Sequence, residues 1–317
     1  MSLLGTRLAS KFAVFAVSGA AASVLVFGFM SVLPGDPAAV ALGVNAGPEA
    51  IEALRAEFGT DRPLPVQYLD WVAGLPAGDF GNSYVSRTPI GPQILDRLAV
   101  SLWLVATAML VSLLVAVPLG MWSAQRHRSA SGLAVSSLSQ IGIAIPAFVM
   151  GIGLIFVFAI KLRLVPSGGW TPPNQDPVAF LKQLVLPMLS LGLVQAAILT
   201  RYVRSAILDV LREDYIRTAR AKGLGGFKTL MRHGLRNASI PVVTVLGLQL
   251  TTLLIGAVVI ERVFVIPGLG SLLLDGVANR DLLLVQGVVM LLVVAALAIN
   301  FIVDVLYTVL DPRLRGA

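Results

Sequence analysis

The chain has 317 residues, 56% of them hydrophobic and 13% charged, with no cysteine and a net charge of +7; its mean hydropathy is +0.86. A water-soluble protein of this length cannot hide so much apolar sequence behind so little polar surface, so membrane-crossing helices are expected instead of two soluble domains. Without cysteine there is no disulfide scaffold, thiolate metal site or cysteine nucleophile, and the surplus of Lys and Arg reads as orientation and contact with anionic membrane lipid.

Six apolar runs are long enough to span a bilayer: 12–33, 99–123, 133–160, 185–207, 240–260 and 283–310. Each must be helical, because hydrocarbon offers no partner to a free backbone N–H or C=O. The first follows Arg7 and Lys11 in the short N-terminal segment 1–11. Its 22-residue length and the poor cleavage site "VLPGDP" mark it as an uncleaved span and not a signal peptide. With both termini cytoplasmic, 15 Lys and Arg fall inside and 9 outside, which satisfies the positive-inside rule. The expected fold is therefore an all-α membrane protein with six transmembrane helices, residues 34–98 outside and the short tail 311–317 inside.

In the external loop, "PEAIEALRAEFG" (Pro48 to Gly59) reads as an amphipathic helix with Pro at its first position and Gly as its C-cap. The rest of the loop is too poor in core residues to be an independent catalytic domain. The other soluble segment, the cytoplasmic loop 208–239, is the charged island of the chain. Asp214 is expected to cap a helix beginning at Tyr215, and Gly223 to supply its left-handed end. Glu213 and Arg217 are spaced i,i+4, and Lys222 lies where the helix dipole favours a cation. After the turn Gly223-Leu224-Gly225-Gly226, the residues Phe227, Leu230, Met231, Gly234 and Leu235 form one apolar face, with Lys228, Arg232 and Arg236 on another. Asn237 and Pro241 then lead into the fifth span. Such an apolar face is expected to need a partner groove. A nucleic-acid role is excluded, since the helix pair is tethered at both ends to membrane spans.

The spans themselves lack the equipment of an ion-coupled pump. One carboxylate, Asp304, lies near the cytoplasmic end of the last span, and no other ionisable group sits deep in any of them; it is expected to snorkel or to pair with a loop arginine. Neutral polar groups take their place: Gln140, Gln195, Gln249, Thr251 and Thr252 are candidates to line a path for a polar solute. Pro118, Pro146 and Pro187 are candidates to kink helices. Zinc-protease spacing, a G-x-S-x-G elbow and a G-x-x-x-x-G-K-[ST] phosphate loop are all missing. A multi-span chain without relay groups or a nucleotide loop, but with a structured cytoplasmic element, points to work delivered by another subunit. The rival is an ion-coupled secondary transporter.

The island resembles the "EAA" loop in membrane subunits of bacterial binding-protein-dependent ABC importers. Arg217-Thr218-Ala219 stand at E-A-A, Gly223 at the glycine, and His233, Gly234, Leu235 and Arg236 where I-x-L-P would be. Only Ala219, Gly223 and Leu235 keep that general pattern. "EDYIRTARAKGL" with "HGLRNASIPVV" is much more similar to the dipeptide/oligopeptide/nickel permease branch, as are "PGDP", "GDFGNS", "FVIPGLG", "RDLLLVQG" and "VDVLYTVLDPRLR". This resemblance spans nearly the whole chain and implies the type I ABC importer permease fold.

It also implies a second homologous permease subunit, two ABC ATPase subunits and an extracytoplasmic solute-binding protein. ATP and Mg would be bound by the ATPases and no cofactor by this chain, which would be a non-catalytic subunit in the bacterial cell membrane. The coupling loop would comprise Asp214, Tyr215, Ile216, Arg217, Thr218, Ala219, Arg220, Ala221, Lys222, Gly223, His233, Leu235, Arg236 and Asn237. In it, Tyr215, Ile216 and Ala219 would anchor in an ATPase groove, and Arg217, Arg220 and Lys222 would pair with acidic groove residues or phospholipid. Di- and oligopeptides are the expected cargo; nickel, haem, glutathione or another small solute are alternatives within the same architecture.

Overall fold

A computed structural model describes residues 3–43, 46–223 and 229–310. Among these, five helices are long and apolar enough to cross a membrane, and a bent helix pair accounts for a sixth candidate. The five are contained in α1 (Leu3–Val32), α5 (Ile90–Gln125), α8 (Pro177–Leu211), α10 (Leu235–Val263) and α12 (Leu282–Leu310).

The expected third span departs from a simple rod. It is split into α6 (Ala130–Ala144) and a second helix running from Ala147 to Lys161, bent by 99°. Proline causes the break: Pro146 has no N–H to continue the ladder and pushes Ile145 into extended backbone, φ −89° and ψ 118°. The second half begins as α7 (Ala147–Leu154) and widens to a π-helix over Ile155–Lys161. Pro118, Pro187 and Pro241 instead lie inside continuous helices.

The chain divides into two compact units. The first comprises residues 1–11, 102–266 and 299–317. In it α10 and α6 pack along α8. Leu199, Val203, Ile207 and Val210 of α8 form a core with Ala116 and Ala124 of α5 and with Ala238 of α10. Asp304 pairs with Lys11 at 2.7 Å. This cation lies on the first helix, just before its apolar run, and not in the loops.

The second unit comprises residues 12–101 and 267–298 and holds the loop 34–98. "PGDP" is a helix start: Asp36 accepts from Ala38 N at 3.1 Å, Pro37 opens α2 (Pro37–Leu42), and the same carboxylate pairs with Arg55 at 2.9 Å. The expected amphipathic helix is α3 (Pro48–Phe58), closed by Gly59. Helix α4 (Leu64–Gly74) follows. Ile90, Ile94, Leu269, Leu272, Leu284 and Val288 form this unit's core, which joins the start of α5 to α11 (Leu269–Ala278) and α12.

Candidate functional site: the hairpin between α8 and α10

Helix α9 runs from Asp214 to Ala221. Its first turn hangs on Glu213, whose carbonyl accepts from Ile216 N at 3.1 Å and Arg217 N at 3.2 Å. Asp214 is thus the first helical residue and not the cap. Its carboxylate lies 3.6 Å from the Arg217 guanidinium, in place of the Glu213–Arg217 pair read from the spacing. Gly223 has φ +86°, the left-handed conformation that a residue with a Cβ adopts at a cost. The turn and second-helix residues Leu224, Gly225, Gly226, Phe227 and Lys228 lie outside the described residues. Thr229 is helical, and from it the chain passes through a π-turn (Leu230–Gly234) into α10 without a break.

The apolar face of the hairpin turns inward. Ile216 and Leu230 are both fully buried and belong to the core built on α5, α8 and α10; Ala219 is 8% exposed. This corrects the expectation that Ile216 and Ala219 anchor in a partner: they fix the hairpin to its own spans, which is the cheaper way to bury them. Gly234 makes the approach possible. A Cβ there would stand 2.8 Å from Leu230 Cδ1 and 3.0 Å from Val210 Cγ1. Across the hairpin, Asn237 Nδ2 donates to the Tyr215 hydroxyl at 3.0 Å.

What remains outward is a polar strip: Asp214, Tyr215, Arg217, Thr218, Ala221, Lys222, Gly223 and Asn237 are exposed. The Thr218 hydroxyl bonds back to the Asp214 carbonyl at 3.0 Å. Leu235 is half-buried. Arg220, His233 and Arg236 have helical backbones, and their side chains lie outside the described residues.

The five candidate pathway residues separate into two kinds. Gln195 on α8 and Gln249 on α10 are 5% and 4% exposed. Gln195 Oε1 and both side-chain polar atoms of Gln249 have no hydrogen-bond partner. Ser112 on α5, fully buried with an unpaired Oγ, is a third such group that its ordinary appearance in the sequence concealed. By contrast Gln140 is exposed, while Thr251 and Thr252 return hydrogen bonds to the Gly247 and Leu248 carbonyls of their own helix at 3.4 Å and 3.0 Å.

Two sequence motifs meet in the second unit. Asp281, 3% exposed, accepts from the Ser83 hydroxyl, from Tyr84 N at 3.2 Å and from Leu284 N at 3.4 Å. It caps α12 and holds the loop "GDFGNS" against it. Burial, and secondarily the Asp281 carboxylate, push the Tyr84 phenol up to about 12.

Residues 116–316 match the family model described as "Binding-protein-dependent transport system inner membrane component", and residues 6–105 match its N-terminal companion. The chain belongs to this family of permeases. It is a multi-pass inner-membrane component of binding-protein-dependent transport. A putative peptide transport system permease of Brucella abortus (strain 2308) is 39% identical over 293 residues, 92% of this chain and 93% of that one. A probable peptide ABC transporter permease of Sinorhizobium fredii is 37% identical over 309 residues, 98% and 97% of the two chains. A glutathione transport system permease of Salmonella typhimurium (strain LT2) is 41% identical over 297 residues, covering 92% and 93%.

Proposed function

We propose that this permease forms half of the translocation pathway of an ATP-driven importer for di- and oligopeptides, with glutathione, itself a small peptide, within the same cargo class. Peptide and glutathione permeases among its relatives, similar over nine-tenths of the chain, support this reading. A second homologous permease completes the pathway, two ATPases that bind ATP and Mg supply the work, and a solute-binding protein delivers cargo to the side of residues 34–98. The hairpin 208–239 then lies in the cytoplasm, as do both termini.

The observation that carries the coupling role is the two-sidedness of α9. Ile216 is sealed in the same core as α5, α8 and α10, while Arg217, Thr218 and Lys222 are exposed. A force applied to the exposed strip is transmitted to the spans because packed cores shift as units. The deciding experiment reconstitutes the full transporter and replaces Arg217 and Lys222 together with Glu. Loss of ATP-driven uptake, with the protein still inserted and its partners still assembled, is expected. Undiminished uptake coupled to ATP hydrolysis would remove the hairpin from the coupling path.

A further inference from the structure

The second unit contains two adjoining cavities of about 390 and 350 Å3. Met30, Leu33, Gly35, Pro37 and Leu282 line both, so the two are parts of one continuous recess. It lies where α1 ends and α12 begins, at the mouth of two helices of membrane length. That level of a bilayer is the interface between hydrocarbon and water.

Three features define what fits. The larger cavity is walled by the aromatic rings of Phe27, Phe58, Trp71, Phe80 and Tyr84. Two residues of the same wall, Trp71 and Gln286, are 8% and 6% exposed, and the N–H donors Trp71 Nε1 and Gln286 Nε2 have no acceptor. An unmet buried donor is costly, and the soft terminal torsion of a glutamine lets its amide turn toward an incoming acceptor. The smaller cavity is mostly aliphatic and carries Arg280 at its edge. Arg280 is exposed and forms no ion pair among the described residues.

We infer that this recess is a binding site for a membrane glycerophospholipid, with Arg280 on the phosphate, an acyl chain on the aliphatic wall, and the buried Trp71 and Gln286 donors reaching the ester carbonyls once their side chains rotate toward the occupant. The chemistry is matched at each point. A glycerophospholipid offers acceptors to donors that lack them, an anion to a free guanidinium, and hydrocarbon to an apolar cleft opening at membrane depth. The two carboxylates of the same wall are already engaged, Asp70 by Arg62 at 2.6 Å and Asp79 by Gly81 N at 2.9 Å, so a peptide's ammonium would have to compete for them.

The test is lipid retention, which is read independently of transport. The full chain, purified with its partner subunits in mild detergent, is analysed for bound phospholipid by native mass spectrometry. Two variants are compared. Ser31→Trp fills the larger cavity from an exposed position on the last turn of α1. Arg280→Asn removes the cation while tolerating the left-handed backbone found there, φ +56°. Wild-type protein is expected to retain phospholipid and both variants to hold it about tenfold more weakly, as for loss of a charge-assisted or cavity-filling contact. Equal retention by wild type and both variants, or no retained phospholipid at all, overturns the proposal. So does displacement of the lipid by millimolar glutathione or dipeptide, which would make the recess a cargo site.

Discussion

The Asn237 side-chain amide donates a 3.0 Å hydrogen bond to the Tyr215 hydroxyl, 22 residues away. It ties the first turn of α9 to the first turn of α10, so the two ends of the hairpin are joined directly as well as through the core. Both groups are exposed, so water replaces either partner cheaply, and Tyr215→Phe is expected to cost no more than about 1 kcal/mol of stability. The larger effect is expected on coupling: uptake per ATP hydrolysed falls in Tyr215→Phe and Asn237→Ala while protein level in the membrane is unchanged. Parallel measurement of uptake and ATP hydrolysis checks this, and an unchanged ratio would make the bond incidental.

Gly223 and Gly234 are needed for different reasons, and substitution separates them. At Gly223 nothing lies within 4 Å of an added Cβ, but φ is +86°. Gly223→Ala therefore strains the backbone alone, by about 1–2 kcal/mol, and Gly223→Asn restores much of it. At Gly234 the cost is steric. Gly234→Ala forces a methyl against Leu230 and Val210, an overpacking of about 1–3 kcal/mol that Asn does not relieve. Thermal unfolding of the four variants in detergent distinguishes the two patterns. Ala219→Asp buries a carboxylate at a position 8% exposed and is expected to dislodge the hairpin altogether.

The parts legible in the sequence were those with a strong local cause. Hydropathy located the long spans, and the helix at Pro48 and the left-handed Gly223 each follow from a residue whose backbone preference is pronounced. The direction of the hairpin's apolar face was not legible. An amphipathic pattern says that one face is buried, but not whether the cover is a partner or the chain's own spans, and Ile216 and Leu230 chose the latter. Proline was similarly ambiguous: Pro146 breaks its helix, while Pro118, Pro187 and Pro241, equally visible in sequence, do not. The pairing of "GDFGNS" with Asp281 joins residues almost 200 positions apart and leaves no local signature beyond the two motifs themselves.

Tyr84 gives that pairing a spectroscopic handle. Its phenol is pushed up to about 12, first by burial and then by Asp281, whereas an unfolded tyrosine ionises at about 10. The folded state therefore holds the proton longer. This contribution to stability is constant below pH 10 and is lost as pH rises from about 10 to 12. Tyrosinate absorbance, with Tyr84→Phe as the subtracted reference, is expected to show one phenol titrating late. Asp281→Asn removes only the smaller cause, so the Tyr84 pKa should fall part of the way and remain above that of an exposed tyrosine. A full return would mean that the carboxylate, not burial, dominates. The same variant weakens acceptance from Ser83 and Leu284, so the loop should become more susceptible to proteolysis.

The buried glutamines offer the clearest separation between folding and transport. Gln249 has both polar atoms unpaired and Gln195 one, on facing helices α10 and α8 in the first unit. An unsatisfied amide in a packed membrane bundle is a liability for stability, so replacement by methionine, similar in length and apolar, should be neutral or stabilising by about 1–3 kcal/mol. If their retention reflects exposure to cargo in another state of the cycle, the same substitutions should lower the uptake rate while leaving ATP hydrolysis and assembly intact. Gln140→Met, on an exposed face of α6, is the control expected to change neither quantity. Gln249→Met protein that is more stable and transports at the wild-type rate would take Gln249 out of the pathway and leave it as a packing residue with an unmet polar group. Gln249→Met protein that is less stable would mean that its amide is satisfied in the assembled transporter, by a group outside this chain such as one from the second permease proposed above.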